Sequence, residues 1–123
     1  MKLDPESDAP LFMQIADTIE DAILMEIYPE ETQIPSTTDL SMSLIINPAT
    51  VLKGMNLLVD DEIIYKKRGL GMFVSTGAAK KIREKRIRSF DKTFITSLIS
   101  EARKLGISKS DVLSMIEGGY ENE

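Results

Sequence analysis

The chain has 123 residues, with 15 basic and 20 acidic side chains, a net charge of −5, and neither Cys nor His. This length predicts one compact domain, or a small domain with an appendage, that buries roughly two-thirds of the surface of the unfolded chain. The absence of Cys and His excludes disulfides, thiolate or imidazole metal ligands and histidine-based acid–base catalysis. With no nucleophile–base pair or phosphate loop either, we predict no enzyme activity, no cofactor and no metal site.

No apolar run approaches the ~18 residues of a membrane span, and the N-terminus lacks the apolar core of a signal peptide. These features predict a soluble, cytoplasmic protein without a membrane partner. The charge is unevenly distributed: residues 1–78 carry five basic and 13 acidic residues, net −8, and residues 79–123 carry ten basic and seven acidic residues, net +3. Net charge affects non-specific binding of nucleic acid, whereas the charges on the binding surface itself decide specific binding.

The beginning of the chain predicts a polar tail followed by an amphipathic helix. Residues 1–9 are interpreted as a flexible tail. From Leu11 onward, apolar residues recur at helical spacing, and we expect the helix to end near Ile27 because Pro29 disfavours helical geometry in the residue before it. Residues 33–35 predict a short strand that pairs with strands further along the chain.

Two helix starts follow in close succession. Ser36 precedes Asp39 by three residues, which is a variant of the capping box. Asn47 is a favoured N-cap, and Pro48 suits the first helical position, where its missing N–H costs nothing. The second helix is expected over residues 47–59, and the two short helices predict a helix-turn-helix.

Two short strands come next, at residues 63–67 and 72–74, joined by the glycine-bearing turn Arg68-Gly69-Leu70-Gly71. They predict a β-hairpin, the wing. After the wing, residues 78–105 lack Pro and Gly and carry apolar side chains three or four positions apart, which predicts one long amphipathic helix. Gly106 is a stop signal, and a shorter helix is expected from Ser108 to the pair Gly118-Gly119.

The two C-terminal helices differ more than twofold in expected length, so they cannot cover each other's apolar faces. The surplus face predicts a second copy of the chain in a two-fold dimer. The predicted fold is mostly α with a small β-wing: an N-terminal winged helix-turn-helix over residues 10–77, then a two-helix dimerisation or effector extension over residues 78–123. The residues expected at the dimer interface are Ile87, Phe90, Phe94, Ile95, Leu98, Ile99, Ala102, Val112 and Ile116.

Several sequence pieces, in this order, resemble the GntR family of bacterial transcription regulators and its YtrA-type subfamily. The pieces are PLFMQIADTIEDAIL, IPS at 34–36, INPATV at 46–51, YKKRGLGMFV at 65–74 and LGIS at 105–108. The resemblance implies a winged helix-turn-helix followed by a helical dimerisation extension. This sequence departs from the usual family pattern at two positions. Thr38 stands where Arg is usual, and Glu62 replaces the glycine that ends the third helix in relatives.

We expect the second helix of the helix-turn-helix and the wing to contact DNA, because a helix fits the major groove and a glycine-bearing turn approaches the duplex closely. The free N–H groups of that helix's first turn and the Thr50 hydroxyl are expected to hold a phosphate, with Lys53 reaching a guanine or another phosphate. The candidate DNA-contact residues are Ser36, Thr38, Asn47, Pro48, Ala49, Thr50, Lys53, Lys66, Lys67, Arg68 and Gly69.

Purely structural interpretations of these features stay open at the level of the sequence. Asn47-Pro48 alone is a helix cap, and the cationic wing alone is a solvated turn. The acidic run at residues 60–62 is either a polar helix terminus or a divalent-ion site, with the terminus favoured. The basic stripe either pairs with phosphate or acidic residues or is a solvated face; its members are Lys81, Lys85, Arg88 and Lys92.

The sequence and the resemblance together predict a homodimeric, sequence-specific transcriptional regulator. The resemblance implies a repressor of its own operon, often one encoding an ABC transporter, with an inverted-repeat operator in double-stranded DNA as partner. Any small-molecule effector is expected to act at the dimer interface, since about 45 helical residues leave little room for an enclosed pocket. The alternative is a winged-helix protein-interaction module that does not bind DNA.

Overall fold

A computed structural model describes residues 3–122; the predicted tail residues Met1 and Lys2, and the last residue of the predicted extension, Glu123, lie outside them. The helices are α1 (Leu11–Leu24), α2 (Thr37–Leu44), α3 (Pro48–Asp60), α4 (Ala78–Phe90), α5 (Thr96–Lys104) and α6 (Lys109–Glu121), with a π-helical segment at Asp91–Ile95. The strands β1 (Ile64–Lys67) and β2 (Gly71–Val74) form a two-stranded sheet. The predicted fold class is thereby confirmed. Across residues 3–122, no helix is long and apolar enough to cross a membrane.

The chain forms two compact units, one up to Glu84 and one from Lys85 onward. The core of the first unit is built from the inward faces of α1 and α3, where Ile15, Ile19, Val51, Met55 and Leu58 are fully buried. Their spacing along each helix is that of an apolar stripe, as the sequence predicts for α3. The first turns of α4 belong to the same core through Ala78 and Ile82, which carries the first unit past the end of the wing.

Both predicted N-caps are confirmed. The Ser36 hydroxyl accepts a hydrogen bond from the Asp39 N–H at 3.0 Å, and the Asp39 carboxylate accepts one from the Ser36 N–H at 3.3 Å, which completes the capping box of α2. The Asn47 side chain accepts a hydrogen bond from the Ala49 N–H at 2.8 Å, with Pro48 at the first helical position of α3. These caps place the two helices of the helix-turn-helix.

The end predicted for α1 near Ile27 is wrong by three residues. The helix ends at Leu24 because Glu26 adopts a left-handed conformation, with φ of 61°, and the N–H of Ile27 then returns to the carbonyl of Ala22 at 2.9 Å. This hydrogen bond satisfies a carbonyl that the end of the helix would otherwise leave without a partner. The chain therefore turns before Pro29 exerts its effect.

The wing has the predicted form of a hairpin, with Ile64 opposite Val74 and Lys67 opposite Gly71. The predicted strand at residues 33–35 is reduced to one antiparallel bridge, between Gln33 and Phe73. Hydrogen bonds from the Glu31 N–H to the Val74 carbonyl at 2.8 Å, and from the Ile34 N–H to the Met72 carbonyl at 2.9 Å, lie on either side of that bridge. The segment before α2 therefore covers the outer edge of β2.

The second unit contains the helical segments from Lys85 onward. The long helix predicted over residues 78–105 is interrupted at Asp91–Ile95, where the Thr96 N–H bonds the Asp91 carbonyl five residues back instead of four. Gly106 ends α5 as predicted, with φ of 71° and a hydrogen bond from the Ile107 N–H to the Ala102 carbonyl. The stop predicted at Gly118-Gly119 is wrong: α6 continues to Glu121, since glycine weakens a helix without breaking its hydrogen bonds.

Candidate nucleic-acid interface

The N-terminus of α3 presents Asn47, Pro48 and Ala49 at the surface, whereas Thr50 is half-buried. The N–H groups that the sequence predicts to be free for a phosphate are already hydrogen-bonded within this turn. The Ala49 N–H already bonds the Asn47 side chain, and the Thr50 N–H bonds the Asn47 carbonyl at 3.0 Å. Pro48 has no N–H to offer. Contacts from this turn to a ligand would therefore come from side chains and from the close approach of small residues.

Further along α3, the Lys53 ammonium lies 4.1 Å from the centre of the Phe12 ring, in cation–π contact with α1. Gly54, its neighbour, is buried, and a Cβ there would lie 2.6 Å from the Phe12 carbonyl oxygen. The glycine is needed for the close packing of α1 against α3. The sequence marks Lys53 as a candidate but does not mark Phe12 or Gly54, whose role depends on a contact between distant segments.

At the start of α2, Ser36 is half-buried and its hydroxyl is used by the cap, whereas Thr38 is exposed. Between them, the Thr37 hydroxyl donates to the Met55 sulfur at 3.3 Å and so ties the first turn of α2 to α3. Of these three side chains, Thr38 is the one that is free to face a partner.

The wing carries its three cations at the end of β1 and in the turn, and all three are exposed. Lys67 lies on the same face as Tyr65, and its ammonium is 4.5 Å from the centre of the Phe73 ring, which stacks on Tyr65 with 6.1 Å between ring centres. Lys66 projects to the opposite face, because side chains alternate along a strand. The turn itself requires Gly69 and Gly71, whose φ values are 79° and 122°.

A cluster around Glu31 anchors the base of the wing to the turn after α1. Tyr65 donates a hydrogen bond to one carboxylate oxygen of Glu31, and the Thr76 hydroxyl donates to the other at 2.8 Å. The Gly77 N–H donates to the neighbouring Glu30 carboxylate at 2.7 Å. The hydrogen bond from Tyr65, followed by that from Thr76, lowers the pKa of Glu31, and the same bond to Glu31 raises the pKa of Tyr65.

The turn after α3 brings together one residue of the acidic run at residues 60–62 and one residue of the basic stripe. Glu62 takes a left-handed conformation with φ of 60°, so the chain turns there without a glycine. The Lys81 ammonium donates to the Glu62 carbonyl at 3.1 Å, so one member of the basic stripe contacts the turn that follows α3. Within the described part of the chain, no group of three or more acidic side chains is placed to hold a metal ion.

All eleven candidate DNA-contact residues lie in the first unit, and all except Ser36 and Thr50 are exposed. The nine residues expected at a dimer interface lie in the second unit. Ile95, Ala102 and Val112 among them are at least half-buried, and the other six are exposed. Phe90 and Phe94 contact each other with 5.4 Å between ring centres.

Comparisons with known proteins agree with this fold, although no family model matches the chain. A structure of a GntR-family transcriptional regulator from Bacteroides thetaiotaomicron is 34% identical, with a TM-score of 0.73, over 92% of this chain and 98% of that chain. A GntR-family regulator from Listeria monocytogenes is 28% identical, with a TM-score of 0.73, over 94% and 98%. The HTH-type transcriptional repressor YtrA of Bacillus subtilis strain 168 is 26% identical over 130 residues, which cover 100% of this chain and 99% of YtrA.

The full-length match to YtrA confirms the resemblance to the YtrA-type subfamily. Because 34% of the residues are shared with a GntR-family regulator over nearly the whole of both chains, the chain belongs to the GntR family of transcriptional regulators.

Proposed function

We propose that the protein binds double-stranded operator DNA as a homodimer and represses transcription of its own operon. The observation that carries the proposal is the combination, in one unit, of an exposed N-terminus of α3 and an exposed cationic wing. A recognition helix enters the major groove with its N-terminal residues toward the base edges, and cations beside it hold phosphates. The proposal includes no catalytic activity and no cofactor.

The face proposed to read DNA is small and polar. Asn47, Pro48 and Ala49 leave the first turn of α3 without long side chains, so the helix can approach the groove closely. Lys53 carries the nearest charge on α3, and its contact with Phe12 fixes where that charge lies. The wing supplies the remaining cations. Affinity is therefore expected to come from the wing, and specificity from contacts of α3 with base edges.

The second unit supports assembly into a dimer. Ala102 is its one buried residue within the described range up to Asn122, whereas Ile87, Phe90 and Phe94 are exposed. An open groove of about 380 Å³ lies between α5 and α6, with Leu98, Ile99 and Val112 among its lining residues. An exposed apolar surface of this extent usually marks a site where another protein binds. In a two-fold dimer, the same surface of each copy packs against that of the other. Within the extension predicted over residues 78–123, the second unit, from Lys85 onward, is thus proposed to form the dimer and to be the place where any effector would act.

Two protomers related by a two-fold axis read an inverted repeat, with half-sites about one helical turn, ~34 Å, apart or a multiple of it. Repression is favoured because YtrA of Bacillus subtilis is named a transcriptional repressor. The regulated genes are proposed to be those of the protein's own operon, which in this type of regulator often encodes an ABC transporter.

The first experiment measures binding of the purified protein to its own upstream DNA and to unrelated DNA of equal length at matched salt. We expect a preference of about 1,000-fold or more for the upstream region, the range typical of specific regulators. Equal affinity for both DNAs would contradict the proposal. A protein without salt-sensitive affinity for any DNA, but with a protein partner, would instead be a winged-helix interaction module.

A second experiment tests the wing. Lys66→Glu combined with Arg68→Glu should weaken binding to all DNA sequences and flatten the dependence of log K on log salt by about 0.9 for each phosphate that is no longer neutralised. The matched control reverses two exposed cations that lie outside both the wing and the groove between α5 and α6, Arg83→Glu and Lys104→Glu, and should leave the slope unchanged. An unchanged slope in the wing variant would remove the wing from the interface.

A further inference from the structure

We propose that Leu70, at the tip of the wing, is an apolar contact to the floor of the DNA minor groove and selects A·T base pairs there. This inference rests on the proposed DNA-binding function and adds a specificity-determining residue to it. A wing cation reads the charge of the backbone, whereas an apolar side chain on the groove floor reads the shape of the base pair.

The position of Leu70 is unusual for an apolar side chain. Its side chain is 62% exposed at the tip of the hairpin, between two glycines with positive φ. Gly69 has nothing within 4 Å of the position a Cβ would occupy, so the backbone beside Leu70 is bare. The tip therefore presents one apolar side chain on a narrow stretch of backbone, a shape that can enter a groove about 6 Å wide.

The tip is held in place from both sides. The Leu70 N–H bonds the Lys67 carbonyl at 2.9 Å within the turn, and the Gln33 amide donates to the Leu70 carbonyl at 2.7 Å from outside the wing. A Cβ on Gly71 would lie 2.7 Å from the Gln33 amide nitrogen, so the glycine makes room for this bond. Because the Leu70 backbone is fixed, the tip of the wing loses little backbone freedom when it meets a surface.

The charges around Leu70 indicate what that surface is. Lys66 and Arg68 are exposed, and neither forms a hydrogen bond or ion pair with another described residue. A single apolar side chain flanked by exposed cations matches the minor groove, whose walls are lined by the C–H groups of the sugars and lie between two rows of phosphates. Minor-groove proteins do use Leu and other apolar side chains to contact bases from that groove.

The selectivity follows from the chemistry of the groove floor. A G·C pair places the guanine N2 amino group in the minor groove, where an apolar side chain would both clash with it and leave its groove-facing N–H without a hydrogen-bond acceptor. An A·T pair has no such group. We therefore expect Leu70 to favour A·T at the base pair it touches.

The test uses the operator found in the upstream region and replaces each A·T pair of one half-site in turn. At the position under the wing, G·C should weaken binding of the natural protein roughly 5- to 10-fold. An inosine·C pair lacks the N2 amino group and should restore binding. A diaminopurine·T pair adds that group to an A·T-like pair and should weaken binding again. These substitutions separate minor-groove contacts from major-groove contacts, because the minor-groove amino group decides the result.

The same probes are then measured with Leu70→Ala, for which we expect the discrimination at that position to fall to about twofold or less. Ile27→Ala is the matched control: its side chain is 60% exposed in the first unit, and the discrimination should remain. Thermal unfolding of both variants checks that neither change alters the fold. Because Leu70 is uncharged, the salt dependence should stay that of the natural protein.

The outcomes distinguish this inference from the proposed function. If the natural protein does not prefer its upstream DNA, the proposed function fails first. If it binds its operator specifically but tolerates G·C and diaminopurine·T at every A·T position, or if Leu70→Ala retains the discrimination, the minor-groove role of Leu70 is refuted while the proposed function stands.

Discussion

Single residues in the left-handed backbone region shape several turns of this protein. Among the described residues, four that are not glycine have φ near 60°: Glu26, Glu31, Ile45 and Glu62. Ile45 is the most unfavourable, because its branched Cβ crowds the backbone at φ 55° and ψ 53°, and its side chain is 91% exposed. The turn between α2 and α3 therefore costs stability that packing of this side chain does not offset.

We predict that Ile45→Asn stabilises the protein. Asn tolerates the left-handed region, so the substitution should raise the free energy of unfolding by about 1 kcal/mol. Urea unfolding followed by circular dichroism measures the change. Ile45→Gly should give a smaller gain, since glycine loses more backbone freedom on folding.

The control is Met42→Asn, at an exposed position inside α2. Asn is a poorer helix former than Met, so this change should lower stability by a few tenths of a kcal/mol. If Ile45→Asn also lowered the stability, the strain assigned to Ile45 would be wrong.

Residue-scale signals also explain which parts of the fold are predictable from the sequence. The starts of α2 and α3 are predictable because each cap is a hydrogen bond between residues two or three positions apart. These bonds join Ser36 to Asp39 and Asn47 to Ala49. The early end of α1 is not predictable in this way, because Glu26 carries no signal for a left-handed turn. Where Gly106 occupies the equivalent position, the predicted end of α5 is confirmed.

At the scale of elements, the wing is fixed to the rest of the first unit by contacts between distant segments. The Glu31 carboxylate accepts hydrogen bonds from Tyr65, 34 residues away, and from Thr76, 45 residues away. Gln33 reaches Leu70 across 37 residues. The sequence predicts that residues 33–35 pair with the wing, but these side-chain partners are not predictable, because nothing local marks them.

The Glu31 cluster predicts a pH dependence of stability. The pKa of Glu31 is lowered from its ordinary value of 4.5 by the bonds from Tyr65 and Thr76. Its contribution is therefore present above the ordinary pKa and is lost as the pH falls through the lowered pKa. We expect the natural protein to exceed Glu31→Gln in stability at pH 7, with the difference shrinking toward pH 3.

Denaturant unfolding at a series of pH values measures this difference. A double-mutant cycle with Tyr65→Phe shows how much of this difference depends on the hydrogen bond between Tyr65 and Glu31. Most of the pH-dependent part of the difference should vanish once the Tyr65 hydroxyl is removed. A difference between the natural protein and Glu31→Gln that stays constant from pH 7 to pH 3 would contradict the assignment.

At the scale of the whole molecule, the two units differ in what stabilises them. The first unit has a closed core of helices, wing and the first turns of α4. The second has wide exposed apolar faces and little buried interior. The sequence indicates this contrast through the length of its last apolar stripe, but it does not predict the π-helical segment, which shifts the register of that stripe after Phe90.

This contrast predicts that assembly depends on the second unit. Phe94→Gln combined with Leu98→Gln should raise the dissociation constant of the dimer by about 10,000-fold or more, because each buried side chain of this size contributes roughly 1.5–3 kcal/mol and the dimer loses two of each. Sedimentation equilibrium measures the constant directly. Glutamine keeps the helix propensity, so circular dichroism should show little loss of helix.

The matched control replaces two exposed apolar residues of the first unit, Met25→Gln and Ile27→Gln, and should leave the dissociation constant unchanged. The monomeric variant should still bind a single half-site weakly, since the candidate DNA-contact residues lie in the first unit, but it should lose the added affinity of two linked half-sites. A dimer that persists in the Phe94 and Leu98 variant would place the interface elsewhere on the chain. A variant that becomes monomeric yet binds the full operator as tightly as the natural protein would show that dimerisation does not serve DNA binding.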